Sequence, residues 1–195
     1  MNDLVRCSDG LLRPAWADAD ELQRDYYDHE WGNPVTSESG VFERLALEGF
    51  QSGLSWAVVL RKRPRFREAF ADFDVDAVAA FDEGDVTRLL TDPGIIRNRA
   101  KIEATIANAQ RTIDLREDGG LSALVWSFEP ADQPEPRTLA DIGLRPEAIE
   151  LAKTLKERGF RFVGPTTMQA LLEAIGVLNH HLVGSHRRAN TRTGA

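Results

Sequence analysis

The chain has 195 residues, which suits one folded domain whose core is large enough to need no cross-links. Its formal net charge is -7, and its single cysteine excludes an intramolecular disulfide and indicates a reducing compartment. No apolar run approaches the roughly 20 residues that cross a bilayer. The N-terminus lacks the pattern of a secretory signal, so the sequence predicts a cytoplasmic protein without membrane contact.

The acidic balance argues weakly against a nucleic-acid partner, but the charges are unevenly distributed. Acidic residues concentrate in the segments 72–92 and 129–141, and basic residues cluster within 61–67, 97–101 and 153–161. A single charged cluster is most often a solvated face. Three basic clusters on one chain still leave open a local surface that binds anions.

The predicted elements are helices, which places the chain in the mainly α class. Residues 1–20 contain several turn-forming residues and are predicted to be irregular. Helical spacing of apolar residues predicts helices over 21–30, from 41 onward, 64–70, 74–80, 85–90, 95–115, 146–158 and from 165 onward. Residues 125–128 are too few to assign, and 130–143 form a loop. One α-helical domain is therefore predicted over 1–186, followed by a disordered tail over 187–195.

The stretch 41–56 combines a carboxylate, an amide and a large aromatic ring. Val41, Leu45 and Glu48 share one helical stripe, so the face that enters the core carries a carboxylate. Gly49 and Gly53 are expected to loosen or break the helix, and the same stretch carries Gln51 and Trp56. A buried charge is usually retained for a function, so this stretch favours a pocket for a flat, hydrogen-bonding ligand. The alternative is that Glu48 points sideways to a surface arginine.

Residues 146–175 are predicted to form two helices joined by the loop G-F-R-F-V-G. Glycines at both ends of the loop, Gly159 and Gly164, permit a tight turn. Phe160, Phe162 and Val163 are expected to fill the space between the helices, with Ile149 also facing inward.

The start of the second helix of this hairpin suits a phosphate group. Pro165 in the first helical position leaves the N–H groups of Thr166, Thr167 and Met168 at the positive end of the helix dipole. The threonine hydroxyls add donors, and Arg161 lies beside them. The pattern is typical of helix-hairpin-helix units that hold the DNA backbone; the alternative is an ordinary pair of helices capped by Gly and Pro.

Five segments, in order, resemble one family. The resemblance to the bacterial 3-methyladenine DNA glycosylase I family extends from about residue 7 to residue 185. It rests on D-Y-Y-D-H-E-W-G-N-P (25–34), L-E-G-F-Q-S-G-L-S-W (47–56), G-I-I-R-N-R-A-K-I (94–102), W-S-F (126–128) and R-G-F-R-F-V-G-P-T-T (158–167).

The resemblance implies the helix-hairpin-helix DNA glycosylase fold and hydrolysis of the bond between 3-methyladenine and deoxyribose. Glu48 would hydrogen-bond the excised base, Tyr26 and Trp56 would stack around it, and Trp31 would wall the pocket. Gln51 is a further candidate for base binding. The implied partner is double-stranded DNA that contains an alkylated adenine, bound by a monomer. The sequence leaves open whether 3-methylguanine is also excised.

Two absences predict a monofunctional enzyme without lyase activity. Related glycosylases that also cut the backbone have a lysine at the start of the second hairpin helix, where this chain has P-T-T-M. Many superfamily members place a catalytic aspartate just beyond that helix, where this chain has no carboxylate over 177–186. The main alternative is a helix-hairpin-helix protein that binds DNA without catalysis. A small-molecule hydrolase has no metal cluster or nucleophile triad to support it.

The sequence departs from the family at its structural zinc site. The positions that match the two Cys and two His ligands are Cys7, Tyr27, His181 and Ser185, so two of four ligands are absent. Structural zinc requires four good N or S ligands. No cofactor and no zinc are therefore expected, and Tyr27, His181 and Ser185 are predicted to join the chain ends by hydrogen bonds and packing instead.

Overall fold

The computed structural model describes residues 3–188, and the mainly α prediction is confirmed. Two short strands precede nine α-helices within this range. The strands are β1 (Leu4–Arg6) and β2 (Leu12–Pro14), and the helices are α1 (Glu21–His29), α2 (Glu38–Gln51), α3 (Trp56–Ala69), α4 (Val75–Ala79), α5 (Glu83–Thr91), α6 (Arg99–Asp114), α7 (Gly120–Trp126), α8 (Pro146–Glu157) and α9 (Pro165–Ala174).

The N-terminal segment is more ordered than its sequence predicts. β1 and β2 pair antiparallel with Leu4 opposite Pro14, and a short 3-10 helix over Ala15–Asp18 follows. The Asp9 carboxylate accepts a hydrogen bond from the Leu11 N–H in the turn between them. Strands of three residues are too short to show alternation, which is why the sequence suggested an irregular segment.

Helix α2 is centrally placed and runs without interruption from its cap to Gln51. The Ser37 side chain accepts a hydrogen bond from the Gly40 N–H and caps the helix. The prediction that the helix loosens or breaks is wrong for Gly49, because this buried residue packs against the hairpin loop: a Cβ there would lie 3.6 Å from Phe162 Cβ. Gly53, the other glycine of that prediction, has φ +81° just beyond the end of the helix. α2 contacts α3, α6, α7 and α9.

Several predicted helix boundaries change. α3 begins at Trp56 and continues through Pro64, which the sequence pattern placed at a helix start. α6 begins only after Asn98, whose side chain accepts a hydrogen bond from the Lys101 N–H. The unassigned run at 125–128 belongs partly to α7. Local periodicity misplaced these ends because capping and packing determine where each helix starts.

One continuous hydrophobic core joins helices α2 to α9. Phenylalanines from α2, α3 and the segments that follow form an aromatic cluster inside it. Its members are Phe42, Phe50, Phe66, Phe70, Phe73 and Phe81. No helix among the described residues is both long enough and apolar enough to cross a membrane.

The helix-hairpin-helix unit forms as predicted, with two corrections. Gly159 has φ +86° at the start of the loop, and Phe160 and Val163 are buried between the helices. Phe162 does not fill that space: it is 40% exposed, because φ +56° turns its side chain outward from the tight loop. Ile149 is also exposed, at 43%, since it lies on the solvent side of α8.

After α9 the chain returns to the N-terminal hairpin. Gly176 lies just after α9 and packs closely against the backbone that follows α1, because a Cβ on Gly176 would lie 2.7 Å from Gly32 O. The His186 N–H donates to Leu12 O. Arg187 donates to the Asn33 side chain and Arg188 to Asn179 O, so the first two residues of the predicted tail belong to the folded body. The remainder, 189–195, lies outside the described residues.

Candidate functional site

A cavity of about 250 Å³ lies where α1, α2, α3 and α9 meet the N-terminal segment. We call it the Glu48 pocket. It brings together Glu48, Tyr26, Trp31, Trp56 and Gln51, which are five of the sequence-predicted site residues. The other side chains that line it are Pro14, Trp16, Leu139, Ile142, Ala170, Glu173, His180 and Leu182.

The Glu48 carboxyl group is buried and incompletely paired. It is 4% exposed on the inward face of α2, and its Oε2 has no hydrogen-bond partner among the described residues. Burial is the main reason that its pKa is raised to about 8, and the charge of Glu173 adds to the shift. The alternative that Glu48 points to a surface arginine is wrong, because its side chain lines the pocket instead. An unpaired acid in a cavity is instead available to a ligand.

Aromatic rings form the walls beside Glu48. The centroids of Tyr26 and Trp56 are 5.3 Å apart with their planes inclined by 43°. Trp31 contacts Trp16 edge-on at 5.6 Å on another side. The Trp56 Nε1 donor is buried and has no partner among the described residues, so the cavity has both an unpaired acceptor and an unpaired donor. The site thus suits a flat, polar ring.

Sequence reasoning missed Trp16, Glu173 and His180. Trp16 lies in the 3-10 helix that no pattern indicated. Glu173 is near the end of α9 and faces the pocket together with Ala170, while the apolar stripe that identified this helix faces the core. His180 Nδ1 is 2.5 Å from Glu173 Oε1. Only the folded arrangement brings these residues to Glu48, because they are more than 30 positions before or 120 after it.

The hairpin presents its predicted DNA-contact residues on the surface. Gly159, Arg161 and Thr166 are exposed, and Gly164 and Thr167 are partly exposed. Gly164 has an ordinary φ of -69°, so its position does not require glycine. The Met168 N–H donates to Gly164 O and is no longer available to a ligand, which leaves Thr166 and Thr167 as the predicted donors.

Asn108 of α6 holds the hairpin loop in place, which the sequence did not reveal. Its amide nitrogen donates to Arg161 O at 3.0 Å, and its Oδ1 accepts from the Arg161 N–H at 2.8 Å. Asn108 is buried, so both hydrogen bonds are partly shielded from water. The Arg161 side chain forms no ion pair with another described residue, so its charge faces solvent.

The comparisons with known proteins decide the family. A family model described as methyladenine glycosylase matches residues 16–188. The chain belongs to the methyladenine glycosylase family. The match confirms the family that the sequence motifs indicate, and it includes the Glu48 pocket residues Trp16, Glu48 and His180 as well as the whole hairpin.

Similar proteins support this membership over nearly their full length. DNA-3-methyladenine glycosylase 1 of Escherichia coli (strain K12) is 43% identical over 178 residues, which are 89% of this chain and 95% of that protein. The crystal structure of a 3-methyladenine DNA glycosylase I has a TM-score of 0.84 at 41% identity and covers 88% of this chain and 97% of that chain. A variant of such an enzyme in complex with 3-methyladenine has a TM-score of 0.82 at 34% identity, with 87% and 94% covered.

Among the four positions that the resemblance matched to zinc ligands, the side chain of Tyr27 contacts those of His181 and Ser185. The Tyr27 hydroxyl and Ser185 Oγ hydrogen-bond each other at 2.5 Å, so each already has a partner. The Tyr27 and His181 ring centroids are 5.2 Å apart. Burial, followed by the charge of Arg187, lowers the pKa of His181 to about 3. Within residues 3–188, no group of three or more His, Cys, Asp or Glu side chains is arranged to hold a metal.

A charged network joins the same chain ends. The guanidinium of Arg13 is 1% exposed and donates to Asp28 at 2.5 and 2.8 Å and to Asp9 at 2.8 and 2.9 Å. His186 Nε2 lies 3.1 Å from Asp28 Oδ1. The network therefore links the N-terminal hairpin, α1 and the C-terminal segment.

Proposed function

We propose that this methyladenine glycosylase excises 3-methyladenine from DNA by flipping the damaged nucleotide into the Glu48 pocket. The observation that supports this most directly is the buried, unpaired Glu48 carboxyl group beside the Tyr26 and Trp56 rings. Hydrolysis of the N-glycosidic bond would release the free base and leave an abasic site. Base flipping is the general solution when a reaction must occur on a base inside a duplex.

The chemistry of the damaged base matches the pocket. Methylation at N3 makes the adenine cationic, and aromatic faces such as those of Tyr26 and Trp56 attract a cation. Burial raises the pKa of Tyr26 well above its usual value, so the phenol stays neutral and keeps its electron-rich face. The ionised form of Glu48 gains a counter-charge when the cationic base enters, which offsets the desolvation that otherwise opposes its ionisation.

Glu48 also provides base selectivity. Its carboxylate accepts hydrogen bonds from the amino edge of adenine, whereas a base that presents acceptors there would leave a buried acceptor unpaired. Gln51, at the end of α2, and Trp31 complete the polar and aromatic lining.

The reaction needs little activation from the protein. The positive charge on the base makes it a good leaving group, because it departs as a neutral molecule. Water can then attack the sugar without a strong general base. The contribution of the chain is to bind the flipped nucleotide, orient it and exclude bulk water from the glycosidic bond.

We assign the hairpin to the DNA backbone. The Thr166 and Thr167 N–H groups at the α9 N-terminus and the Arg161 side chain would contact phosphate groups of double-stranded DNA. Leu54, 43% exposed in the loop between α2 and α3, is a candidate for the wedge that fills the gap in the duplex.

We further propose a monofunctional, metal-free monomer that acts in the cytoplasm. A lyase step would need an amine nucleophile at the pocket, and none of the residues that line it is a lysine. Borohydride treatment of an active reaction is therefore expected to trap no covalent DNA adduct. A trapped adduct would contradict this part of the proposal.

The decisive experiment measures release of free 3-methyladenine from methylated DNA. Wild type should release it, and Glu48→Ala should lose activity by at least about a hundredfold, as expected when a stabilising group is removed from a buried site. The variant should still bind DNA, because Glu48 is buried in the pocket and is not one of the hairpin residues assigned to the DNA backbone. Glu150→Ala, an exposed carboxylate on α8, is the matched control and should keep full activity. A wild-type protein that binds DNA but releases no base would instead favour a non-catalytic DNA-binding protein.

A further inference from the structure

The Glu48 pocket contains a second carboxylate that the proposed chemistry does not use. Glu173 reaches it from α9 and is mostly buried, with 17% of its side chain exposed. His180, which also lines the pocket, lies against it with Nδ1 2.5 Å from Glu173 Oε1 and a side chain that is 1% exposed. Burying a carboxylate–histidine pair beside an unpaired acid costs free energy, so this arrangement is expected to serve a function.

We propose that Glu173 is a specificity-determining residue whose negative charge makes the pocket favour a cationic base over a neutral one, and that His180 fixes the position of this charge. The inference rests on the proposed function, since it concerns the same pocket and the same base.

The pocket is lined by two carboxylates from different helices. Glu48 enters from α2 and Glu173 from α9, and neither lysine nor arginine is among the described residues that line the pocket. Two carboxylates in one partly desolvated cavity oppose each other's ionisation. The effect is visible at Glu48, where burial and then the charge of Glu173 raise the pKa to about 8. A positively charged ligand offsets both the desolvation of Glu48 and its repulsion by Glu173, whereas a neutral ligand offsets neither.

His180 completes the argument because it determines where the charge of Glu173 lies. The ionised carboxylate that the proposal invokes can only accept hydrogen bonds, so in that state the donor across the 2.5 Å contact is the His180 Nδ1–H. The buried ring cannot rotate freely, and it therefore holds Oε1 at one place in the pocket. The other titratable groups around this pair are Tyr26 and Glu48 at the pocket, Glu147 of α8, which interacts with His180, and the neighbouring His181.

The test separates attraction for a cation from general damage to the site. At pH 9, where Glu48 is ionised in both proteins, Glu173→Gln should lower kcat/KM on methylated DNA by about tenfold, the effect of one lost charge interaction of moderate size. Inhibition by free 3-methyladenine, the neutral product, should change by less than about twofold, because a neutral ligand gains little from that charge. Equal losses in both measurements, or none in either, would overturn the inference.

The pH profile provides a second readout. In Glu173→Gln the acid limb of kcat/KM should move to lower pH, because Glu48 ionises more readily without the neighbouring charge. Glu173→Asp keeps the charge and should stay close to wild type, and Glu150→Gln, which removes an exposed charge on α8, should not move the limb. An unmoved limb in Glu173→Gln would reject the role of its charge.

The role of His180 is tested separately. His180→Leu keeps the Glu173 carboxylate but removes its donor, so the kcat/KM on methylated DNA should fall less than in Glu173→Gln, by about threefold. No change would reject the positioning role. Wild-type protein that releases no 3-methyladenine would refute the proposed function itself, whereas an active wild type with an unaffected Glu173→Gln would refute only this inference.

Discussion

Two buried glutamates on α2, five residues apart, have opposite environments. Glu43 is 5% exposed and hydrogen-bonded to Arg63, Arg67 and Arg44 at 2.8, 2.7 and 2.5 Å. Burial alone would raise the pKa of Glu43, but these hydrogen bonds outweigh it and hold the pKa at about 2. Glu48 is 4% exposed, has an unpaired oxygen and a pKa of about 8.

The comparison teaches that burial of a carboxylate does not by itself mark a functional site. Glu43 is part of a structural ion network that also includes Glu30, which Arg63 and Arg44 contact. Glu48 has the same depth and no cationic partner among the described residues, and it faces a cavity rather than a neighbouring helix. The presence of a cationic partner, and not the extent of burial, distinguishes a carboxylate that stabilises the fold from one that is available to a ligand.

The largest effect on stability is expected at the paired glutamate. Glu43→Gln should lower the free energy of unfolding by about 3 kcal/mol, because it leaves buried arginine charge uncompensated. Chemical denaturation measures the change, and release of 3-methyladenine at a temperature where the variant is folded should stay near the wild-type rate. A variant as stable as wild type would mean that the two glutamates do not differ in the way proposed.

The opposite and smaller effect is expected at Glu48. Glu48→Gln should raise the free energy of unfolding by about 1 kcal/mol at pH 8 to 9, since it removes the desolvation cost of the ionised acid. The raised pKa of Glu48 contributes stability that is present below the ordinary value of 4.5 and is lost as pH rises through about 8. The gain should therefore vanish near pH 4.5.

Glu43 has the reverse dependence on pH, which supplies the matched control for that experiment. Its lowered pKa contributes stability that is present above 4.5 and is lost as pH falls through about 2. Denaturation curves of Glu43→Gln and wild type should thus converge in acid, while those of Glu48→Gln and wild type diverge toward alkaline pH. Divergence in the same direction for both would contradict the assigned environments.

An effect of similar size to that at Glu48 is expected at the junction of the chain ends. Tyr27→Phe removes the hydroxyl that bonds Ser185 and should cost about 1 kcal/mol of stability, a typical net value for one buried hydrogen bond. A chelator should not change the melting temperature of wild type, because the predicted absence of zinc leaves nothing for it to remove. A melting temperature that falls on chelation would show that a metal stabilises this junction after all.

Much of the candidate site could be predicted from the sequence. The helical stripe of Val41, Leu45 and Glu48 was sufficient to place a carboxylate in the interior, because helical periodicity is a local property. The hairpin was also visible, from Gly159 and Pro165. Periodicity did not reveal that Glu43 is also buried, however, because Glu43 lies off this stripe and its burial depends on arginines about 20 residues further along the chain.

Other elements escaped prediction for identifiable reasons. The three-residue strands and α7 are too short to carry a periodic signal. Phe162 was predicted to be buried because it is apolar, yet the geometry of the tight loop turns it outward. Asn108 and His180 act through contacts with Arg161 and Glu173 that are 53 and 7 residues away, and no local pattern announces such pairs.

The sequence by itself determined the mainly α class, the inward face of the Glu48 helix, the hairpin and the family motifs, because each depends on residues within one or two helical turns or on their order along the chain. Only the tertiary structure decided that Trp16, Glu173 and His180 share the Glu48 pocket, that Glu43 is paired while Glu48 is free, and that Tyr27 and Ser185 bond to each other. Those facts depend on distances between remote segments, which packing of the common core establishes.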